Sequence, residues 1–158
     1  MRKIIIIFGI IFLIFIVVVF FQVNKKSINN FLNKSSASTV TINSATFRVE
    51  LAKTQKEKEQ GLSGRGSLAT DGGMLFLFDK PSYYSFWMRG MKFPLDIIFI
   101  LDDKVVGVYE DLQPASPNDD NPPQYGSDVI SDSVLEINAG AAKKNNINVG
   151  DAVITKIN

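Results

Sequence analysis

The chain divides by the rhythm of its apolar positions. From Ile4 to Phe21 every residue is apolar or glycine. That run of about 18 residues is long enough to cross or nearly cross a bilayer core, and it lacks the polar face of a helix lying on a soluble domain. Residues 24–38, NKKSINNFLNKSSAS, turn polar and rich in Ser and Asn, the composition of a tether. From Thr39 the rhythm shortens to alternation. In 46–51 Phe47, Val49 and Leu51 share one face of a strand, and Arg48 and Glu50 face the other way.

The same reading continues to the C-terminus. Thr54 and Glu57 have the spacing of a capping box, so a short helix follows and ends near Gly61. Met74, Leu75, Phe76, Leu77 and Phe78 are apolar on both faces, as in a buried strand, which Pro81 and Ser82 are expected to break. Residues 83–88 and 95–101 read as two more strands. The second closes at Asp102 and Asp103 and returns over 104–110 as a hairpin. Residues 112–128 hold four prolines among Asn and Asp and read as a long loop. A strand at 134–137, a short helix over 139–146 and a last strand at 152–157 complete the chain.

These elements predict a mainly β fold: a compact, barrel-like domain of short antiparallel strands with one or two small helices, behind an N-terminal transmembrane helix. The expected organisation is an anchor or signal segment at 1–23, a flexible tether at 24–38 and one β-rich domain at 39–158. Arg2 and Lys3 precede the apolar run, which suits either a signal peptide or a retained anchor. The length of the run favours the anchor, and no small-x-small pair follows Phe21 closely. Arg2, Lys3 and the terminal amine outweigh Lys25 and Lys26 by one charge. That margin places the soluble part outside the cytoplasmic membrane.

Composition then narrows the chemistry. The 158 residues contain no Cys and no His. Disulfides, zinc sites built from these ligands and nucleophiles paired with His are therefore excluded. A net charge of +1, with no basic run in the folded part, argues against nucleic acid as the partner. The glycines around Arg65 lack the Lys-Ser/Thr ending of a phosphate loop. Met74, Met88 and Met91 beside Trp87 could in principle hold Cu(I), but without His or Cys they read as core filling. Asp119 and Asp120 fall short of a Ca²⁺ ligand set. No metal and no cofactor is expected.

Several fragments together resemble one family, the domain of unknown function 192: 61-GLSGRGSL-68, 73-GMLFLF-78, 86-FWM-88, 94-PLDIIFI-100, 134-VLEINAG-140 and 150-GD-151. In order and spacing they cover nearly all of the chain from Phe47 to Ile157. The resemblance implies a compact β-rich fold, often behind an export or anchor segment, and implies no activity. After Phe86-Trp87-Met88 the family commonly carries a basic residue, then Asn and Thr. Here Gly90 and Met91 follow Arg89, so a site built on that amide and hydroxyl is incomplete. Ser63 likewise stands where the family often has Met.

Two acids stand out in apolar strands. Asp96 alternates with Leu95 and Ile97, and Glu136 lies between Leu135 and Ile137. A buried carboxylate is costly without a partner. Arg65 or Arg89 could supply a cation to Asp96, or Asp96 could instead cap a turn through local amides. The candidate ligand or ion-pair cluster is thus Arg65, Asp96, Glu136, Arg89, Trp87 and Tyr125, the last on the long loop. The functional expectation is a membrane-anchored extracytoplasmic module. It touches the membrane through 4–21 and binds an envelope ligand or protein. The alternative is an envelope enzyme acting on a glycan or similar polymer through Asp96 and Glu136.

Overall fold

The computed structural model describes Val19, residues 37–126 and residues 128–158. The anchor or signal segment at 1–23, Val19 excepted, and the tether as far as residue 36 lie outside the described residues. Among the described residues no helix is long and apolar enough to cross a membrane. Ser38–Asn158 form one unit. Its elements, in order, are β1 (Ser38–Ile42), β2 (Ala45–Ala52), α1 (Gln55–Gln60), β3 (Gly72–Tyr83), β4 (Phe86–Trp87), β5 (Leu95–Leu101), β6 (Lys104–Leu112), β7 (Gln124–Tyr125), β8 (Ile130–Asn138), α2 (Ala141–Lys144) and β9 (Val153–Lys156).

Seven strands form one sheet in the order β6-β5-β8-β3-β2-β1-β9, and β4 pairs with β7 as a separate two-stranded ribbon. The sheet curls into a half-barrel. Its outer strands meet at one end, where Lys104 bridges Ala152, the Val105 amide donates to the Asp151 carbonyl at 2.9 Å, and the Val153 amide donates to the Asp103 carbonyl at 2.8 Å. The antiparallel expectation needs one correction, because β2 and β3 run parallel. A parallel neighbour cannot be reached by a tight turn, so α1 and the loop 61–71 carry the crossover.

Local chemistry accounts for the element ends. Thr54 and Glu57 complete the capping box: the Thr54 amide donates to Glu57 Oε2 at 2.8 Å and the Glu57 amide to Thr54 Oγ1 at 3.3 Å. Gly61 ends α1 at φ 49°, where a side chain is strained. Asp102 and Asp103, at φ 49° and 58°, form the left-handed pair that a two-residue hairpin requires. Strand β3 does not stop at Pro81. It passes through an irregularity between Leu77 and Ser82 and resumes pairing with β8, as Pro is tolerated where the ladder is interrupted. Residues 83–88 supply the last residue of β3, Tyr83, and the short β4. Its partner β7 arises inside the stretch read as a loop.

Two apolar clusters pack on opposite faces of the sheet. One, enclosed by the curl, joins Val40, Ile42, Phe47, Leu75, Ile98, Leu135 and Ile137 with Ala142 and Ile147 from and just beyond α2. The other joins Met74, Phe76, Ile97, Phe99 and Val134 with Leu62, Met88 and Met91 from the loops that cover the outer face. Strand β5 is buried on both sides for this reason, and its Leu95, Ile97, Ile98 and Phe99 are fully buried. Each such side chain contributes on the order of 1.5–3 kcal/mol.

Candidate functional site

Strand register decides where the two acids point. Asp96 lies opposite Ile137, and Glu136 lies opposite Ile97 on β5 and Met74 on β3. Residues directly opposite each other share a face, and the next pair points the other way. Asp96 therefore enters the cluster inside the curl, and Glu136 leaves on the outer face.

Asp96 is fully buried, and its ligands are backbone amides. Oδ1 accepts from Asp111 N at 2.8 Å and Gly140 N at 3.1 Å, and Oδ2 accepts from Ala142 N at 2.8 Å. Where β6 opposes Asp96 the register shifts between Leu95 and Ile97, and Asp111 takes φ 52°. An amide freed from a ladder at such a bulge needs another acceptor, and Asp96 provides it. The same carboxylate holds the start of α2. Neither Arg65 nor Arg89 reaches it. Its partners are three amides drawn from β6 and the α2 turn, distant in sequence, and no cation takes part.

Arg65 instead forms a two-pronged pair with Glu50, Nη1 to Oε1 at 2.5 Å and Nη2 to Oε2 at 2.7 Å. Glu50 is in register with Met74, and Met74 with Glu136, so a methionine separates this ion pair from Glu136. Arg89 lies over the Trp87 ring at 5.5 Å and donates to the Asp120 carbonyl at 2.9 Å. Tyr125 packs near Tyr109, ring centroids 5.9 Å apart. It lines a separate hollow of about 430 Å³ against the loop 111–123. The six candidates are thus not one cluster. Of the six, Glu136 and Trp87 line one cavity together.

That cavity is a cleft of about 510 Å³ on the outer face. One side is α1 with the turn after it, from which Lys58, Glu59 and Gly61 contribute. The other is the end of β3, β4 and the link between them, from which Phe78, Tyr84, Phe86 and Trp87 contribute, and Phe76 and Glu136 form the floor. The turn after α1 is tied to the 89–91 turn by Ser63 Oγ donating to the Arg89 carbonyl at 3.1 Å and the Gly64 amide donating to the Gly90 carbonyl at 2.9 Å. The wall opposite α1 is aromatic and ordered by contact. Phe76 meets Phe86 edge to face at 4.9 Å, Phe78 stacks on Tyr84 at 3.5 Å, and the Lys58 ammonium sits 4.6 Å from the Phe78 centroid.

Glu136 is the unusual group on this floor. It is 6 % exposed, and its Oε2 is buried with no hydrogen-bond partner among the described residues. Burial pushes its carboxyl up to about 8, because the charged form loses water and gains no compensating donor. A Cβ built at Gly61 would stand 3.4 Å from the Phe76 ring and 3.9 Å from Glu136 Oε2, so the turn after α1 lies in contact range of the acid. Among the described residues no group of three or more His, Cys, Asp or Glu could hold a metal ion. Sequence reasoning missed Phe76, Phe78, Tyr84, Phe86, Lys58 and Gly61. The available signal was aromatic density, six such residues within 76–87.

The fold has known counterparts. A protein of unknown function from Novosphingobium aromaticivorans is 38% identical, with 75% of this chain and 83% of that one covered and a TM-score of 0.64. A Sinorhizobium meliloti protein provisionally described as a transcription regulator is 31% identical, with 76% and 95% covered and a TM-score of 0.66. No curated protein matches the chain. The model of the family described as Uncharacterized ACR matches residues 38–155, which reach into every strand of the sheet. The chain belongs to this family, the domain of unknown function 192.

Proposed function

We propose that this protein is a membrane-tethered binding module, held by the apolar run 4–21, displayed outside the cytoplasmic membrane on the tether 24–38, and binding a small molecule in the cleft above Glu136. The observation that carries the reading is the buried Glu136 carboxyl on the floor of an aromatic cleft, its Oε2 without a hydrogen-bond partner among the described residues. A buried polar group without a partner is uncommon and costs about 1–3 kcal/mol. An aromatic-walled cleft of several hundred Å³ with a buried acid on its floor and charged residues along its rim has the make-up of a ligand site.

The geometry disfavours the envelope enzyme acting through Asp96 and Glu136. A pair of catalytic carboxylates must flank one bond, and these two leave opposite faces of the sheet. Asp96 is also saturated by three amides.

Two measurements test the module. A tag after Asn158 should be cleaved by protease added to intact cells, and a protected tag overturns the outward topology. Isothermal titration of the full chain in nanodiscs against a library of aromatic fragments should find ligands whose binding is lost on Glu136→Ala. Binding unchanged in that variant overturns the cleft.

A further inference from the structure

The Glu136 cleft also carries information about the class of its ligand, an inference that rests on the binding reading above. Glu136 Oε2 can be satisfied in two ways, by a donor brought to the ionised carboxylate or by a proton that leaves the group neutral. Three observations favour the first when a ligand is present.

The apolar body of the site is aromatic. The negative faces of such rings attract cations, most strongly where water is displaced. The protein already uses its walls in this way, since Phe78 carries the Lys58 ammonium at 4.6 Å and Trp87 carries the Arg89 guanidinium at 5.5 Å. The charges facing the cleft are also near balance: Lys58 and Glu59 from α1, Asp79 and Lys80 from β3, and Glu136 from β8. With Glu136 ionised the sum is negative by one, and a single ligand cation neutralises it. The floor acid pairs with neither lysine, because the ion pairs among the described residues join Arg48 with Asp71 and Arg65 with Glu50.

We propose that the ligand is a small protonated amine bearing at least one N–H, its ammonium seated on Glu136 Oε2 and its apolar body against Phe86 and Trp87. An N–H is required because the orphaned oxygen needs a hydrogen-bond donor as well as a charge. Gly61 lies beside this seat, since a Cβ there would stand 3.9 Å from Glu136 Oε2.

The chain contains one tryptophan, Trp87, so its fluorescence reports on this cleft alone. Full-length protein in nanodiscs should be titrated with three probes of matched shape, benzylammonium, benzyl alcohol and benzoate, read by Trp87 emission and by saturation-transfer NMR of the probe. Benzylammonium should bind at least tenfold more tightly than the other two. Its affinity should rise about tenfold between pH 6 and pH 7, because seating the cation requires Glu136 to release a proton held with a value near 8. Glu136→Gln should abolish both the preference and the pH slope. If benzyl alcohol or benzoate binds as well as the amine, the ligand class is wrong and the binding cleft stands. If no probe binds, both fall. Should the Gln variant fail to fold, the pH slope in the natural protein still decides.

Discussion

Asp96 and Glu136 sit one register step apart on adjacent strands, yet their carboxyls lie on opposite sides of the sheet. One is saturated by three backbone amides and the other has an oxygen with no partner among the described residues. Two acids in similar apolar strands thus hold different roles. Asp96 joins β5 to the β6 bulge and the start of α2, and Glu136 forms the floor of a cleft.

Asp96→Asn should destabilise the fold by about 2–4 kcal/mol, since one carbonyl oxygen replaces two charged acceptors and the new amide group faces donors. Urea unfolding measures the loss. Ligand binding at the Glu136 cleft should be unchanged in the folded fraction, and a selective loss of binding would contradict the division of roles.

The Glu136 carboxyl gives a pH signature with a definite sign. Its folded value of about 8 exceeds the ordinary 4.5, so the folded chain keeps a proton that the unfolded chain releases. This contribution is complete below pH 4.5 and is lost as pH rises through 8, up to about 5 kcal/mol in total. Glu136→Gln should therefore match the natural protein at pH 4 and exceed it in Tm at pH 9. Parallel Tm curves for the two would show that the acid ionises without cost.

Gly126→Ala should cost about 2–4 kcal/mol by overpacking and strain. A Cβ there would stand 1.9 Å from Phe99 Cζ, inside the ring contact, and the backbone is at φ 84°. The residue presses the end of β7 on the aromatic row of Phe86, Phe99 and Tyr109. Hydrogen exchange should show the loosening first at β4 and β7.

Arg65→Ala should cost no more than about 1 kcal/mol, because its pair with Glu50 is substantially exposed, with side-chain exposures of 36% and 58%. The loss should shrink further in high salt. Amine binding in the cleft should be unaffected, since Met74 stands between the pair and Glu136.

Much of the fold was legible from local pattern. The capping box at Thr54 and Glu57, strand β5 to the residue and the turn at Asp102 and Asp103 follow from neighbours only a few positions apart, where side-chain chemistry acts directly on the backbone. The parallel pairing of β2 with β3 and the pairing of β4 with β7 inside the Pro-rich stretch were not legible. Both depend on segments distant along the chain. The grouping of Arg65, Arg89, Asp96 and Glu136 failed for a related reason. Composition says which charges need partners, but strand register alone says which face each one meets.

By itself, the sequence determined that this is a β-rich chain of the domain of unknown function 192 family, without cysteine or histidine chemistry and with two acids set in apolar strands. Tertiary structure alone decided that one of those acids is consumed by the backbone and the other is buried beneath an aromatic cleft with an oxygen unpartnered among the described residues. A bulge in β6 supplies one amide to Asp96 and the α2 turn supplies two, and the turn after α1 sets a glycine beside Glu136. The energy of a buried carboxylate is set by the donors brought to it in space, and those donors come from residues remote in the chain.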